Sequence, residues 1–381
     1  MIVKKLTSHF YSKHIGEVDM QIPDFNRSPF ITIWEVTRAC ALKCLHCRAE
    51  AQYHRDPREL NTEEGKRLID QIAEMGSPLL VFTGGDPLMR EDIFDFMEYA
   101  VKKGLRVSMT PSATPRVTKE AMEKSKTAGL SRWAFSLDGS SSEVHDYFRG
   151  TKGSFDLTLN SIKYLQELKM PIQINTTVSR YNINDLDNIA AMVEQFGTEL
   201  WSVFFLVPTG RGQLKDMISP VQHENVFKWL YDLSSKVPFD IKTTAAPHYR
   251  RFVLQQKASN PTGETKGYKN KDNIGRAFGV NDGNGFVFIS HTGDVYPSGF
   301  LPLKVDNIRN NNLSKIYRNN DIFQALRNPN KLKGKCGICH YKEICGGSRA
   351  RAYAVTGDYL ESDPFCVYEP KEKSAKTADQ K

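Results

Sequence analysis

Between Phe30 and Leu233, a strand-length apolar run followed by a helix-length amphipathic run recurs six times, and this repetition limits the possible folds more than any other feature. The predicted strands are Phe30–Val36, Leu79–Thr83, Arg106–Thr110, Trp133–Leu137, Ile172–Val178 and Leu200–Val207. The helices between and after them are Thr62–Met75, Glu91–Lys103, Lys119–Ala128, Phe155–Leu168, Leu186–Phe196 and Val221–Leu233. In the first helix Leu68, Ile69, Ile72 and Ala73 share one face, and Asn61-x-x-Glu64 has the form of a capping box. Gly104 and Gly129 stand where the second and third helices must stop. No strand alternates as a one-sided antiparallel sheet requires, so the units predict a parallel sheet with right-handed crossovers. The eight units of a closed barrel are not reached. The fold class is therefore α/β, an open partial (β/α)6 TIM-like barrel whose chemistry collects at the C-terminal ends of the strands.

Composition narrows the function. The chain has 381 residues, 40% of them hydrophobic and 25% charged, which excludes a disulfide miniprotein, a collagen-like fibre and a disordered chain. Its longest apolar runs, around Leu79–Phe82 and Gly285–Ile289, are strand-sized and far short of a membrane helix. The first residues carry positive charge but no apolar signal region follows, so a cytoplasmic location is expected. The net charge is +8, but the segment Lys371–Lys381 holds four lysines against Glu372 and Asp379, leaving +6 for the rest. With no basic block interleaved with aromatics, no nucleic-acid partner is expected, and no membrane partner.

After Phe252 the pattern changes. Gln255 to Asn273 is polar and reads as a surface loop or linker. Gly285–Pro297 reads as a hairpin around Thr292-Gly-Asp294, followed by a short helix near Leu313–Tyr317. The expected organisation is an extension over 1–29, the barrel over 30–236, a linker and substrate-side segment over 237–282, a small cysteine-bearing domain over 283–370 and a disordered tail over 371–381.

The seven cysteines fall into two groups with none left over. In a reducing compartment such clusters argue for metal rather than disulfides. Cys40, Cys44 and Cys47 follow the first strand with spacing C-x3-C-x2-C. Three thiolates are too few for a closed tetrahedral zinc site and one short of an all-cysteine four-iron cluster, so one iron would stay open to a chelating ligand. Cys336, Cys339, Cys345 and Cys366 have spacing C-x2-C-x5-C-x20-C, which suits either a structural zinc or a fully ligated [4Fe-4S] cluster.

The early cysteine loop, placed after a first strand, resembles that of the radical SAM superfamily. Phe82-Thr-Gly-Gly-Asp-Pro-Leu88 is similar to that family's glycine-glycine-acid motif, with Asp86 where Glu is usual. The resemblance implies a [4Fe-4S] cluster on Cys40, Cys44 and Cys47, and S-adenosylmethionine with its methionyl amine at Gly84, Gly85 and Asp86. Ser136 and Arg149, within Ser136-Leu-Asp-Gly139 and His145-Asp-x-x-Arg-Gly150, are implied contacts to the ribose or carboxylate. Asn175 in Asn175–Val178, and Leu206 beside Val207–Gly212, complete the implied adenosine pocket.

The C-terminal cysteines, with Cys345–Asp358 and Asp363–Cys366, resemble the SPASM/twitch-type extension of that superfamily. Within it the pattern is nearest to the haem-biosynthesis branch and the mycofactocin maturases, and Lys242–Arg251 adds to this likeness. Many relatives carry a further Cys where this chain has Ser348, so the other four must suffice as ligands of a second, auxiliary [4Fe-4S] cluster. The implied chemistry is reductive cleavage of S-adenosylmethionine, hydrogen abstraction by a 5′-deoxyadenosyl radical, and an oxidative outcome such as decarboxylation to an alkene or thioether formation. The implied partners are an electron donor such as flavodoxin or ferredoxin and a small-molecule or peptide substrate.

Three readings result. The first is an oxidoreductase acting on a carboxylated small molecule such as a tetrapyrrole, with His248, Arg250 and Arg251 as candidate carboxylate contacts. The second is a peptide maturase, disfavoured because the residues before Phe30 are too few for a winged-helix leader-binding domain. The third is a non-catalytic iron–sulfur or zinc protein. Glu35 and Asp138, at strand ends, are read as orienting or capping groups, and His223, His291 and His340 as ordinary polar residues.

Overall fold

The computed structural model describes residues 24–76, 79–259 and 279–370. The greater part of the expected extension, the core of the polar linker and the tail fall outside those residues. The barrel strands are β1 (Ile31–Glu35), β2 (Leu79–Thr83), β3 (Arg106–Met109), β4 (Arg132–Ser136), β5 (Ile172–Val178), β6 (Leu200–Phe205) and β7 (Asp240–Thr244). Their helices are α1 (Thr62–Glu74), α2 (Ile93–Lys102), α3 (Lys119–Thr127), α4 (Ser142–Arg149), α5 (Ser154–Glu167), α6 (Leu186–Gln195), α7 (Pro220–Ser234) and α8 (His248–Ser259). Strands β8 (Phe286–Ile289), β9 (Asp294–Tyr296) and β10 (Asp306–Asn307) follow, then α9 (Leu313–Asn319), α10 (Asp321–Leu326), α11 (Gly334–Ile338) and α12 (Arg349–Thr356).

One sheet holds all ten strands in the order β10-β9-β8-β1-β2-β3-β4-β5-β6-β7, parallel from β8 through β7. The six expected units are present, and two further parallel strands flank them. Strand β7 escapes the sequence pattern because Asp-Ile-Lys-Thr-Thr offers one large apolar residue. The hairpin is found as expected, but β8 also pairs in parallel with β1, Ile31 opposite Phe286. Residues 255–259, read as loop, close helix α8 instead, because Tyr249 and Phe252 on its buried face pack against Phe227 of α7.

Alternation along the strands decides what faces what. Trp34, Phe82, Met109, Trp133, Phe135, Ile174, Trp201, Val203 and Ile289 join the helices in one continuous core. Trp34 packs with its ring tilted against Phe82 (5.8 Å between centroids) and Phe96 (4.9 Å), and Gly65 of α1 is obligatory because a Cβ there collides with Phe96 and Trp34. Each such buried aromatic contributes about 2–3 kcal/mol. The opposite face of the sheet carries Ile33, Val81, Thr83, Ser108, Ser136, Thr177, Phe204 and Lys242, all only half-buried. Among the described residues no helix is long and apolar enough to cross a membrane.

Candidate active site

The three early cysteines lie on the long loop between β1 and α1, which closes on itself through Cys40 N–H to Gln52 O (2.7 Å) and Gln52 N–H to Arg38 O (3.0 Å). Three other strand-end segments clamp it through backbone. From β2, Gly85 and Asp86 donate to Thr37 O (2.8 Å) and Ala39 O (2.7 Å), and a Cβ at Gly84 or Gly85 collides with the Thr37, Arg38 or Ala39 carbonyls. From α4, Phe148 O accepts from Leu45 N–H at 3.0 Å. From the loop after β6, Arg211 donates to Cys47 O (3.0 Å) through its backbone and to Cys44 O (2.9 Å) through Nε. Glycines appear where backbone meets backbone, which is why the sequence marks this place with Gly84-Gly85 and Gly210.

Cys40 and Cys44 are buried, with Cys47 packed against them. Their sulfurs accept hydrogen bonds from Leu42 N–H to Cys40 (3.3 Å) and Ala51 N–H to Cys47 (3.4 Å), and Cys40 Sγ lies 3.3 Å from Ser112 Oγ. Burial pushes the Cys44 thiol up to about 11, against the pull of Arg149. Arg149 is itself buried; its desolvation is outweighed by Cys44, Asp138, Cys40 and Cys47, which hold its charge. It reaches Asp138 at 3.4 Å. The candidate S-adenosylmethionine contact thus also favours the thiolate forms of Cys40 and Cys44 against their burial. At the same loop His46 stacks on Phe148 (4.1 Å between centroids), and His46 Nδ1 and Arg211 Nη2 are buried without a hydrogen-bond partner among the described residues.

The other candidates divide. Ser136 ends β4 on the half-buried face beside Asn175, its register partner, and Asn175 Oδ1 accepts from Gln173 Nε2 at 2.8 Å. Leu206 packs with Phe148 and Met217, with Leu45 of the cysteine loop against them. The Asp86 carboxylate is turned inward: it accepts from Thr114 Oγ1 (2.9 Å) and Leu88 N–H (3.2 Å), is fully buried, and burial pushes it up to about 6. Gly84 and Gly85, rather than Asp86, keep open surface at this strand end.

Glu35 proves to be a node. It ends β1 with no exposure, accepts from Arg48 Nη1 (2.8 Å) and Arg38 Nε (3.2 Å), and lies 3.0 Å from His291 Nδ1 in the β8–β9 turn. Burial raises its pKa, but Arg48, His291 and Arg38 outweigh this and hold it at about 2. Strand β1, the cysteine loop and the C-terminal hairpin meet on this one carboxylate. Glu35, read as an orienting or capping group, and His291, read as an ordinary polar residue, are 256 residues apart in sequence, and nothing in the sequence pairs them.

The four late cysteines line one cavity together with Arg251, Lys335, Lys342 and Tyr368. Asp363 N–H points to Cys336 Sγ (3.5 Å), Tyr341 N–H to Cys339 (3.4 Å) and Gly347 N–H to Cys345 (3.3 Å), while Tyr368 N–H serves Cys366. Burial pushes Cys345 up to about 12. Ser348 caps α12 with its hydroxyl and does not line the cavity. Behind it Arg351 and Asp363 form a fully buried ion pair at 3.1 Å, with His248 3.8 Å from the same carboxylate. The proposed carboxylate trio is thereby corrected. His248 has no exposed surface, Arg250 donates to the Ile344 and Val280 carbonyls, and Arg251 is paired with Glu224. These residues join α8 to the late-cysteine segment, so none offers a free guanidinium fork to a substrate.

A model of the radical SAM superfamily matches residues 34–193. The chain is 41% identical to the AdoMet-dependent heme synthase of Methanosarcina barkeri, over 91% of this chain and 98% of that one. It belongs to the radical SAM superfamily. As a radical SAM enzyme it uses a [4Fe-4S] cluster and S-adenosylmethionine. This radical SAM chain is also 31% identical to the Fe-coproporphyrin III synthase of Methanosarcina barkeri, over 90% of this chain and 88% of that one. It is 28% identical to the mycofactocin maturase MftC of Mycolicibacterium smegmatis, over 89% and 83%. In fold it matches the crystal structure of Streptococcus suis SuiB with TM-score 0.69 at 14% identity, covering 96% of this chain and 88% of that one. The α/β partial barrel of this radical SAM enzyme is thus shared with its SPASM-type neighbours.

Proposed function

We propose that this radical SAM enzyme converts propionate side chains of an iron tetrapyrrole, with Fe-coproporphyrin III as the first candidate, to vinyl groups in haem formation. The observation that carries this reading is the near-full-length identity to AdoMet-dependent heme synthases, which leaves no large part of either chain unmatched. In this reading Cys40, Cys44 and Cys47 hold the catalytic cluster. Three clustered thiols, two of them with N–H···S donors, a buried guanidinium and two buried nitrogens without partners fit a group larger than the loop itself. Gly84, Gly85, Ser136, Asn175 and Leu206 border the S-adenosylmethionine. Cys336, Cys339, Cys345 and Cys366 hold an auxiliary [4Fe-4S] cluster. They share one cavity.

When bound, these groups supply the hydrogen-atom acceptor and the one-electron acceptor that a propionate needs to leave as carbon dioxide and an alkene. The chain's own residues do the rest. Backbone clamps from β2, α4 and the β6 loop fix the thiols, Arg149 balances their charge, and the half-buried inner face receives the substrate. The expected electron donor is a flavodoxin or ferredoxin, and the expected location is the cytoplasm. A peptide substrate is the second reading, carried by the MftC likeness; the higher identity to heme synthases ranks it lower.

The test is anaerobic reconstitution with iron and sulfide, reduction, addition of S-adenosylmethionine and Fe-coproporphyrin III, and mass spectrometry for vinyl products alongside 5′-deoxyadenosine. Vinyl product from the wild type and none from Cys40→Ala supports the reading. 5′-Deoxyadenosine without tetrapyrrole product rejects the substrate while keeping the class.

A further inference from the structure

Parallel register places side chains of neighbouring strands in rows that face the same way. One row crosses four strands: Ser136 of β4 beside Asn175 of β5, Asn175 beside Ser202 of β6, and Ser202 beside Lys242 of β7. Their chain neighbours Phe135, Ile174, Trp201, Val203 and Ile241 belong to the core between sheet and helices. The row itself therefore faces the inner side of the sheet, where Ser136 and Lys242 keep part of their surface open. Lys242 thus stands on the same level as two residues that border the proposed S-adenosylmethionine site.

What sets Lys242 apart is its company. Four other buried or half-buried cations of the barrel have carboxylates, Arg132 with Glu199 (3.1 Å), Arg90 with Asp92 (2.7 Å), Arg149 with Asp138 (3.4 Å) and Arg48 with Glu35 (2.8 Å), while Arg250 and Arg211 donate to backbone carbonyls. Lys242 has neither a hydrogen bond nor an ion pair among the described residues. The charged groups that face it are both cations, Arg250 from α8 and Arg132 from β4. Burial, Arg250 and Arg132 together push its pKa down to about 8. A lysine kept in a desolvated wall beside like charges costs stability unless an anion joins it. Nothing in the sheet requires an ammonium at this position, where the row otherwise carries small neutral polar side chains.

We propose that Lys242 is a carboxylate-binding subsite on the inner face of the barrel, its ε-ammonium pairing with one carboxylate of the substrate at the level of Ser136 and Asn175. The assignment rests on the tetrapyrrole reading above and deepens it, because a single ammonium at this level holds one propionate and leaves another free to react. An ion pair sheltered from water also fixes orientation, which a radical reaction at one carbon of a large flat substrate demands.

The experiment compares reconstituted holoenzymes of wild type, Lys242→Met and Lys242→Arg. Optical titration measures binding of Fe-coproporphyrin III and of its tetramethyl ester, and turnover is followed by vinyl product and 5′-deoxyadenosine together. Lys242→Met is expected to weaken tetra-acid binding by about tenfold or more and to form more 5′-deoxyadenosine per vinyl product, with Lys242→Arg recovering most of the loss. Wild type is expected to lose a similar factor on moving to the ester, and Lys242→Met to lose no more. Equal binding of acid and ester by wild type overturns the proposal even if the variants misfold, as does a Lys242→Met enzyme that binds and turns over like wild type. A wild type that converts no tetrapyrrole rejects the functional reading, and the subsite with it, whereas normal wild-type turnover with an unaffected variant rejects the subsite alone.

Discussion

The two cysteine sites are built in opposite ways. The early three sit on a loop that owes its shape to distant segments: backbone from β2, α4 and the loop after β6 presses on residues 37–47. The late four come from one stretch, 336–366, whose own N–H groups point at the sulfurs and which distant segments reach through side chains, Arg250 on the Ile344 carbonyl and Asn281 on the Gly347 carbonyl. A site that must hold a cofactor and a substrate against each other needs the whole barrel to aim it. A site that only accepts an electron, the role proposed for the late four, needs a short frame and a rigid back, here the Arg351–Asp363 pair.

The sharpest way to break this contrast is by cysteine removal. Cys40→Ala is expected to reduce 5′-deoxyadenosine to background, whereas Cys366→Ala is expected to retain its formation and lose tetrapyrrole product. Identical phenotypes would erase the distinction. Next, Asp363→Asn leaves Arg351 buried without its partner and is expected to cost about 3–5 kcal/mol, read by urea unfolding of the holoenzyme.

Glu35 bridges both regions, so its loss measures how tightly they are joined. A fully buried carboxylate held near 2 rather than at an ordinary 4.5 contributes roughly 3 kcal/mol at neutral pH. The folded value is the lower one, so that stability is complete above pH 4.5 and disappears as the pH falls toward 2. Glu35→Gln should therefore lose it at pH 7 and show a flatter acid limb in unfolding between those values.

Gly85→Ala tests the early loop alone. The added methyl meets the Ala39 and Arg38 carbonyls, and a loss of about 1–3 kcal/mol with lower iron content per chain is expected. Iron content at the late site, assayed in a Cys40→Ala background, should not change. The smallest effect is expected from Thr114→Val, which removes one donor to the buried Asp86 and should cost about 1 kcal/mol with normal iron loading.

Much of the early site could be read before any coordinates. Local rules suffice for a β-branched strand ending before Cys40, a glycine pair at the next strand end and a serine at the fourth, because each lies within a few residues of its own element. What escaped were pairings across the chain. Strand β7 hides behind polar residues whose inner-facing member, Lys242, is functional in our reading rather than structural. The parallel docking of β8 on β1, and His291 on Glu35, join residues far apart in sequence and leave no periodic trace. The misread trio His248, Arg250 and Arg251 shows the reverse error: guanidinium groups that look ready for a substrate are consumed by carbonyls and Glu224.

The docking of β8 on β1 also sets a timetable. Ribosomes add about 5–20 residues per second, so the open edge of β1 waits roughly 13–50 s for its partner to be made. Throughout that interval an apolar strand edge is available for wrong pairing, and the cysteine loop beside it lacks the hairpin that anchors Arg48 and Glu35. Synthesis of this chain therefore includes a window in which the β1 edge and the first three thiols stand without the segment that completes them.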